Sequence, residues 1–211
     1  MPYLHEFLMI TIVHLLAVMS PGPDFAIVIR QSIRFGRKTA IITSLGIGAG
    51  IAVHVSYTLL GIGFLITQSK PIFVAVQIIG ALYLTYLGIK LLLSKTNLDV
   101  QEEQLESIQE DTRHHQKAFL LGFLTNILNP KAALFFLAIF TTIVSVNTPL
   151  AVQSIYGIWI VLSTMLWFSL VSFLFTRKSI RSKFIRYSVI FERAMGIILL
   201  AFAARLAIAL I

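Results

Sequence analysis

Long apolar runs dominate the pattern of hydrophobic and polar positions along this chain. Six runs contain few charged residues, and they cover residues 4–30, 39–66, 72–93, 118–144, 152–175 and 189–211. Each run is longer than the roughly 20 residues that an α-helix needs to cross a bilayer. None shows the alternation over about ten residues that is typical of a transmembrane β-strand. The pattern therefore predicts an all-α integral membrane protein with six transmembrane helices.

Composition agrees with this pattern and narrows the chemistry. Hydrophobic residues make up 57% of the chain, charged residues 12%, and the mean hydropathy is +0.89, values that a soluble domain does not show. The absence of cysteine excludes disulfides, thiolate metal sites and cysteine redox chemistry. The N-terminal residues lack the positive segment and the cleavage site of a signal peptide, so we expect the first helix to be retained.

Basic residues are distributed unevenly between alternate loops. Fourteen of the 17 Lys and Arg residues lie in or beside the loops that follow the first, third and fifth helices. Because cytoplasmic loops carry such an excess, we predict that these loops are cytoplasmic and that both termini are periplasmic. The same placement explains the net charge of +8 as a topology signal and not as a nucleic-acid surface.

The third loop divides the chain into two halves. Residues 1–93 form a first three-helix repeat, residues 94–117 a charged cytoplasmic linker, and residues 118–211 a second three-helix repeat. Because each half has an odd number of helices, the second repeat must insert with inverted topology. The linker ends near His114 and His115, for which a solvated position and a regulatory or metal-binding role both stay open.

Two polar segments that contain proline interrupt helices one and four. They read Ser20-Pro21-Gly22-Pro23-Asp24 and Asn129-Pro130-Lys131. Proline lacks an N–H and disfavours helix in the residue before it, so we expect each helix to break and restart there. At 1.5 Å per residue, both segments lie roughly 14 to 18 Å from the cytoplasmic ends of their helices. This depth is near the midplane of a core about 30 Å thick.

The two breaks supply groups of both charge signs at that depth. Ser20 and Asn129 stand at the expected N-cap positions, and the freed N–H groups favour an anion together with Lys131. Asp24 has the opposite sign and is suited to bind an ammonium group or to carry a proton. A shared site would therefore fit an amino-acid zwitterion. The alternative is structural: two proline kinks, with Asp24 as a helix-start charge and Lys131 snorkelling or paired.

Other polar and small residues each have two interpretations. His14 and His54 lie within helices one and two, either as a proton path with Asp24 or as packed, hydrogen-bonded histidines. Gly46 and Gly50 belong to a glycine-rich stretch, but no βαβ unit surrounds it as a dinucleotide site would require. Close helix packing is the favoured role of these glycines.

Three segments carry a distinctive sequence pattern. They are His14-Leu15-Leu16-Ala17-Val18-Met19-Ser20-Pro21-Gly22-Pro23-Asp24-Phe25 in helix one, Gly80-Ala81-Leu82-Tyr83-Leu84-Thr85-Tyr86-Leu87-Gly88 in helix three and Gly122-Phe123-Leu124-Thr125-Asn126-Ile127-Leu128-Asn129-Pro130-Lys131-Ala132 in helix four. This pattern resembles the lysine/threonine exporter (LysE/RhtB) family over nearly the whole chain, and its first segment is most similar to the threonine-efflux branch. The resemblance implies a bacterial inner-membrane exporter of amino acids that is driven by the proton gradient.

We therefore expect a substrate site at the two breaks. Its candidate residues are Ser20, Pro21, Gly22, Pro23, Asp24, Asn126, Asn129, Pro130 and Lys131, with Asp24, His14 and His54 as candidates for proton coupling and Gly46, Gly50, Gly80 and Gly88 for helix packing. No cofactor and no metal site are predicted. The expected partners are the amino acid, protons and membrane lipid, without nucleic acid, and a homo-oligomer stays open.

Three classes of function compete. A proton-coupled exporter of small neutral amino acids accounts for both breaks and both embedded charges. A divalent metal-ion exporter of similar architecture is the alternative, with His14, Asp24 and His54 as ligands, although Lys131 would repel a cation and no ligand spacing is present. An intramembrane enzyme is disfavoured because the chain has no HExxH motif, no second intramembrane Asp and no cysteine.

The number of embedded acids favours a neutral substrate. Glu6 is placed at the outer end of helix one and Glu192 at the cytoplasmic end of helix six, which leaves Asp24 alone near the midplane. One carboxylate balances the α-ammonium of an amino acid but not a second cation. Threonine or homoserine is therefore predicted in preference to lysine, with Ser20, Thr125 or Tyr83 as candidates for binding a substrate hydroxyl.

Overall fold

The computed structural model describes residues 2–68, 70–94, 112–145, 147–176 and 178–209. Within these residues lie eight α-helices: α1 (Pro2–Met19), α2 (Pro23–Arg34), α3 (Gly36–Gln68), α4 (Lys70–Leu92), α5 (Thr112–Ile127), α6 (Pro130–Ile143), α7 (Leu150–Leu174) and α8 (Lys178–Ala209). The all-α prediction is confirmed. Most of the predicted linker, residues 95–111, lies outside the described residues, and its last part already belongs to α5.

Two helices of the bundle are broken, and each consists of two consecutive segments. α1 and α2 are bent by 54° relative to each other, and α5 and α6 by 56°. Both bends fall at the proline segments that the sequence singles out. The continuous helices α3, α4, α7 and α8 correspond to predicted helices two, three, five and six. α8 begins well before the apolar run at residue 189, because helical hydrogen bonding continues through polar residues that hydropathy does not count.

The length and surface of these helices suit a membrane. Among the described residues, Gly36–Gly61 of α3 and Leu150–Leu174 of α7 are each long and apolar enough to cross a bilayer, and each broken pair qualifies as a single span. Large apolar side chains such as Leu60, Leu128 and Leu166 are exposed around the bundle. Such a surface suits lipid and not water, and the chain is a multi-pass membrane protein.

The first break lies between α1 and α2. Gly22 is the N-cap residue of α2 in an extended conformation (φ −174°, ψ −174°), and Pro23 occupies the first turn, where no N–H is needed. The expectation that Ser20 caps the restarted helix is wrong, because α2 begins later than expected. The N–H of Ser20 instead donates to the Leu16 carbonyl at 3.1 Å and closes the end of α1.

The second break lies between α5 and α6. α6 begins at Pro130, and Asn129 is its N-cap residue, with its side-chain oxygen accepting from the Lys131 N–H at 3.0 Å. This bond satisfies one of the N–H groups that have no partner within the helix. The predicted capping role of Asn129 is therefore confirmed.

α3 lies at the centre of the bundle. It packs most extensively on α5 and α7, and α4 packs on α8. Glycines allow the closest approaches: a Cβ added to Gly46 would overlap the Phe119 carbonyl of α5, and one added to Gly122 would overlap the backbone of α3. Gly88 of α4 and Gly196 of α8 face each other in the same way. In a bilayer, such close backbone contact is a main source of attraction between helices.

Gly46→Ala should destabilise the contact between α3 and α5. The added Cβ would meet backbone atoms of Phe119 and Phe123, which cannot rotate away, and overpacking of this kind costs about 1–3 kcal/mol. Gly61→Ala, in the same helix, is the matched control, because an added Cβ there has nothing within 4 Å. Thermal unfolding in detergent should show a lower midpoint for Gly46→Ala alone. Equal midpoints for both variants would show that the contact between α3 and α5 can relax.

A buried carboxylate anchors the start of α1. Glu6 is 9% exposed and accepts from the Thr148 hydroxyl at 2.9 Å and from the Ser145 N–H at 3.0 Å. The Tyr156 hydroxyl of α7 lies 3.3 Å from the same carboxylate. These contacts hold α1 against α7 and against the connection between α6 and α7, at the end of the bundle opposite to the basic residues that follow α2.

Candidate functional site

The two helix breaks meet at one cavity, which lies between α1, α2, α3, α6 and α7. Its polar lining residues are Ser20, Asp24, Asn129, Lys131, His14 and Thr164, and the others are apolar, glycine or proline. The cavity has a volume of about 60 Å³, which is room for a few water molecules. In this conformation the site is therefore narrow, and a larger ligand needs the helices to separate.

The carboxylate of Asp24 is held by two amides from the other half of the chain. Asn126 Nδ2 donates to Asp24 Oδ2 at 3.0 Å and Asn129 Nδ2 donates to the same oxygen at 3.3 Å. The other oxygen, Asp24 Oδ1, is buried and has no hydrogen-bond partner among the described residues. A buried carboxylate oxygen without a donor is costly. The site thus offers an acceptor that a bound donor would satisfy.

Neighbouring residues fix the position of this carboxylate. Phe25 is 1% exposed and packs edge-on against Phe175 at a centroid distance of 5.4 Å, which holds the first turn of α2. Asn126 is fully buried, and a Cβ added to Gly50 would lie 2.6 Å from its Oδ1. Gly50 therefore makes room for an amide of the site, in addition to the packing role expected for it. Gly80, the other predicted packing glycine, is buried in α4.

Lys131 brings the opposite charge to the same cavity. Its Nζ donates to Ser20 Oγ at 3.4 Å, and a Cβ added to Gly22 would lie 3.7 Å from Nζ. Asp24 lies within electrostatic range of Lys131. The hydrogen bonds of the two charged groups nevertheless go to different partners, Asp24 to amides and Lys131 to a hydroxyl. The two charges thus remain open to a ligand that carries both signs.

The backbone contributes charge of both signs as well. The C-termini of α1 and α5 and the N-termini of α2 and α6 all lie at the two breaks. Helix N-termini carry a positive partial charge and C-termini a negative one. Discontinuous transmembrane helices of transporters place such ends at the substrate and the coupling ion.

A second polar group faces the cavity from α1 and α7. Thr164 is fully buried, and its Oγ1 lies 3.1 Å from Nε2 of His14, which is 1% exposed. The rest of this side is aromatic and aliphatic, including Phe135, Phe136 and Phe168. One hydroxyl and one imidazole therefore stand alone on an apolar surface, and they can recognise a single polar group of a ligand.

His54 does not line the cavity but binds Asn126, which holds Asp24. Its Nε2 lies 3.0 Å from the Asn126 carbonyl, and its Nδ1 lies 2.8 Å from the Tyr57 hydroxyl. Because a carbonyl only accepts, the Nε2–H group of His54 donates to the Asn126 carbonyl. His54 thereby holds the end of α5 that carries Asn126, one hydrogen bond away from Asp24.

In the described structure, the hydrogen bonds of Asp24 come from Asn126 and Asn129 and not from His14 or His54. The Phe136 ring contacts both, with centroid distances of 6.0 Å to His14 and 6.2 Å to His54. Among the described residues, no group of three or more His, Asp and Glu side chains is placed to hold a metal ion. The imidazole of His115, in the last part of the predicted linker, has a buried Nε2 without a hydrogen-bond partner in the described structure.

Most of the predicted substrate residues line the cavity. They are Ser20, Gly22, Pro23, Asp24, Asn129 and Lys131. Asn126 acts through Asp24, and Pro21 and Pro130 shape the breaks without lining the cavity. Tyr83 donates to the Pro130 carbonyl at 3.5 Å, outside the cavity. Sequence reasoning missed Thr164, because nothing in the sequence of α7 indicates which of its hydroxyls faces α1.

Broken helices that meet at a cavity with both charge signs are typical of membrane transporters. The family of LysE type translocators matches residues 15–210, which is nearly the whole chain. The chain therefore belongs to the LysE family of translocators.

Curated relatives agree with this assignment. The chain is similar to the threonine efflux protein of Salmonella typhi, with 31% identity over 204 residues, 96% of this chain and 97% of the relative. It is similar to the threonine efflux protein of Escherichia coli strain K12, with 31% identity over 207 residues, 96% of this chain and 97% of the relative. An uncharacterised membrane protein of Bacillus subtilis, YrhP, is 27% identical over 206 residues, 96% of this chain and 98% of the relative. No solved structure matches the chain.

Proposed function

We propose that this translocator exports small neutral amino acids of the threonine and homoserine class in exchange for protons. The observation that carries the proposal is one cavity lined by an ammonium group and by a carboxylate whose buried oxygen has no hydrogen-bond partner in the described part of the chain. Such a pair matches the two charges of an amino acid. The threonine efflux activity in the names of two relatives supports the same substrate class.

Each end of the zwitterion has a partner in this account. The substrate ammonium donates to Asp24 Oδ1, the oxygen that the two asparagines leave unpaired. The substrate carboxylate accepts from Lys131 Nζ in place of Ser20 and lies at the N-terminus of α6, where the helix dipole favours an anion. An amino acid is larger than the present cavity, so α1, α2 and α6 must separate during each transport cycle.

The rest of the cavity favours a small side chain without charge. Asp24 is the one carboxylate among the described residues that line the cavity, so a second substrate cation would have no partner among them. Glu192, like Glu6, is a buried acid, 6% exposed and within electrostatic range of Lys131, but it is not among the described residues that line the cavity. The pair of His14 and Thr164 is placed to bind a side-chain hydroxyl.

Thr164→Val should reduce the preference for threonine over valine. The substitution keeps the shape of the side chain and removes the hydroxyl, and a hydrogen bond between neutral groups contributes about 0.5–1.5 kcal/mol, roughly a two- to tenfold change in affinity. Thr58→Val is the matched control, because Thr58 is 1% exposed and its hydroxyl has no partner among the described residues, yet it does not line the cavity. Competition of the two amino acids in vesicles measures the ratio. An unchanged ratio in Thr164→Val would exclude the hydroxyl contact.

Proton coupling is assigned to the same carboxylate. Asp24 can hold either a proton or the substrate ammonium at Oδ1, so the two would exclude each other as exchange requires. His54 is proposed as a positioning residue, because it reaches Asp24 through Asn126. His14 serves the substrate hydroxyl together with Thr164.

For topology we propose six membrane spans arranged as two inverted repeats in a bacterial inner membrane. Both termini face the periplasm, because the basic residues that follow α2, α4 and α7 mark the cytoplasmic side. A reporter that is active only in the periplasm should therefore be active when fused to either terminus. Activity of the matching cytoplasmic reporter at the C-terminus would contradict the orientation.

Export can be tested in cells. Expression of the chain in a bacterial strain that lacks its own threonine exporters should raise tolerance to external threonine or homoserine and lower their accumulation. Tolerance to lysine should change little. The Asp24→Asn variant serves as the inactive control. Equal protection against lysine would contradict the substrate class, and no protection against any amino acid would contradict export itself.

A further inference from the structure

A second cavity lies between α2 and α5, at the end of the bundle where basic residues gather. We call it the basic groove and define it by three cations on its rim, Arg30, Arg34 and Lys117, by Gln31 in its depth, and by apolar residues that include Ile27 and Leu121. Its volume is about 280 Å³, larger than that of the central cavity. Among the described residues, none lines both the basic groove and the central cavity.

Gln31 contributes a buried polar side chain to this groove. The side chain is 6% exposed, and its Oε1 is buried without a hydrogen-bond partner among the described residues. A buried carbonyl oxygen costs free energy unless a donor reaches it. A ligand hydroxyl or N–H that reached this oxygen would satisfy it.

The rim is suited to an anion. Its three cations stand on two helices, Arg30 and Arg34 on α2 and Lys117 on α5, and none of the described residues that line the groove is acidic. Guanidinium groups are well matched to phosphate oxygens. A ligand with a phosphate and a nearby hydroxyl would satisfy both the rim and Gln31.

The position of the groove indicates where that ligand comes from. Leu121 is 38% exposed on the outer surface of α5, next to Leu120 and Leu124, which are 52% and 43% exposed. These side chains belong to the apolar surface that lipid covers. The groove thus opens at the boundary between lipid chains and water, where basic pockets between membrane helices bind anionic lipid headgroups.

We propose that the basic groove binds an anionic phospholipid whose headgroup carries a hydroxyl, of the phosphatidylglycerol class. The lipid phosphate lies at Arg30, Arg34 and Lys117, a headgroup hydroxyl donates to Gln31 Oε1, and an acyl chain follows Leu121. Because α2 carries Asp24 at its start and α5 carries Asn126 near its end, the lipid joins the two helices that hold the transport site. The proposal is independent of which substrate is exported.

Native mass spectrometry and thermal unfolding of the purified full chain test the groove. With added phosphatidylglycerol, the wild type should retain one lipid and unfold at a higher temperature, whereas phosphatidylcholine should have little effect. The triple variant Arg30→Gln/Arg34→Gln/Lys117→Gln should lose at least about tenfold in lipid affinity. Lys183→Gln, which removes an exposed cation of α8, is the matched control and should keep wild-type binding.

A second variant tests the role of Gln31. Gln31→Leu should bind phosphatidylglycerol and phosphatidic acid equally, whereas the wild type should prefer phosphatidylglycerol, the lipid with headgroup hydroxyls. If the triple variant does not fold, two results still test the proposal. They are the lipid preference of Gln31→Leu and the preference of the wild type for phosphatidylglycerol. Equal binding of phosphatidylglycerol and phosphatidylcholine by the wild type would overturn the proposal. Equal stabilisation by glycerol 1-phosphate or by threonine would assign the groove to a soluble anion or to the substrate.

Discussion

Asp24→Asn should abolish export of threonine against a gradient while the protein still inserts into the membrane. The variant keeps the size of the side chain but removes the charge that faces the substrate ammonium. Hydrogen bonds to charged groups contribute about 1.5–3 kcal/mol, so transport at low threonine should fall roughly ten- to 150-fold. Export from loaded cells and exchange in proteoliposomes measure the two activities separately.

These two activities distinguish the roles of Asp24. Loss of a proton carrier alone would stop uphill export and leave exchange of internal for external threonine intact. Loss of the ammonium partner would impair both activities. The variant should then lose more affinity for threonine than for its 2-hydroxy acid analogue, which has no ammonium group. Our account predicts the second result together with loss of uphill export. Wild-type export by Asp24→Asn would remove Asp24 from the mechanism.

Lys131→Gln should weaken recognition of the substrate carboxylate by a similar factor. Among the described residues that line the cavity, Lys131 is the one Lys or Arg, and its Nζ donates to the Ser20 hydroxyl. The loss should be large for threonine and small for threoninol, the analogue in which an alcohol replaces the carboxylate. Competition of both compounds for labelled threonine in wild type and variant measures the difference.

Lys90→Gln distinguishes a direct contact between Lys131 and the substrate from a long-range electrostatic effect of nearby lysines. Lys90 lies within electrostatic range of Lys131 but is exposed on α4 beside the Tyr86 ring and does not line the cavity. We expect near wild-type transport by this variant. If both lysine variants lose transport equally, the general potential around the site acts on the substrate, and no direct contact of Lys131 is needed.

The positions of the helix breaks could be predicted from sequence, because the chemistry of proline acts locally. Pro23 and Pro130 each begin a helix, and the bends follow from the missing N–H and the restricted backbone. Asn129 as a cap was equally accessible, since the capping bond joins it to Lys131, two residues on. The cap at the first break could not be predicted in this way, and the choice of Ser20 was wrong. A Pro-Gly-Pro sequence leaves several starts open for the next helix.

Contacts between distant helices could not be predicted in this way. The amides of Asn126 and Asn129 meet Asp24 across more than 100 residues, and the rotation of one helix against another decides which oxygen they occupy. Thr164 faces His14 for the same reason. Glu192 was placed at a helix end by hydropathy. It lies within α8 instead, because α8 starts at Lys178. Its side chain is also buried.

Counterflow in proteoliposomes tests the zwitterion site most directly. Vesicles that hold the purified chain and excess internal threonine should accumulate labelled external threonine. Homoserine should inhibit this uptake, whereas lysine, threoninol, the 2-hydroxy acid analogue and a divalent metal ion should inhibit it weakly or not at all. Uptake of the metal ion without uptake of any amino acid, or equal inhibition by analogues that lack one of the two charges, would contradict the account.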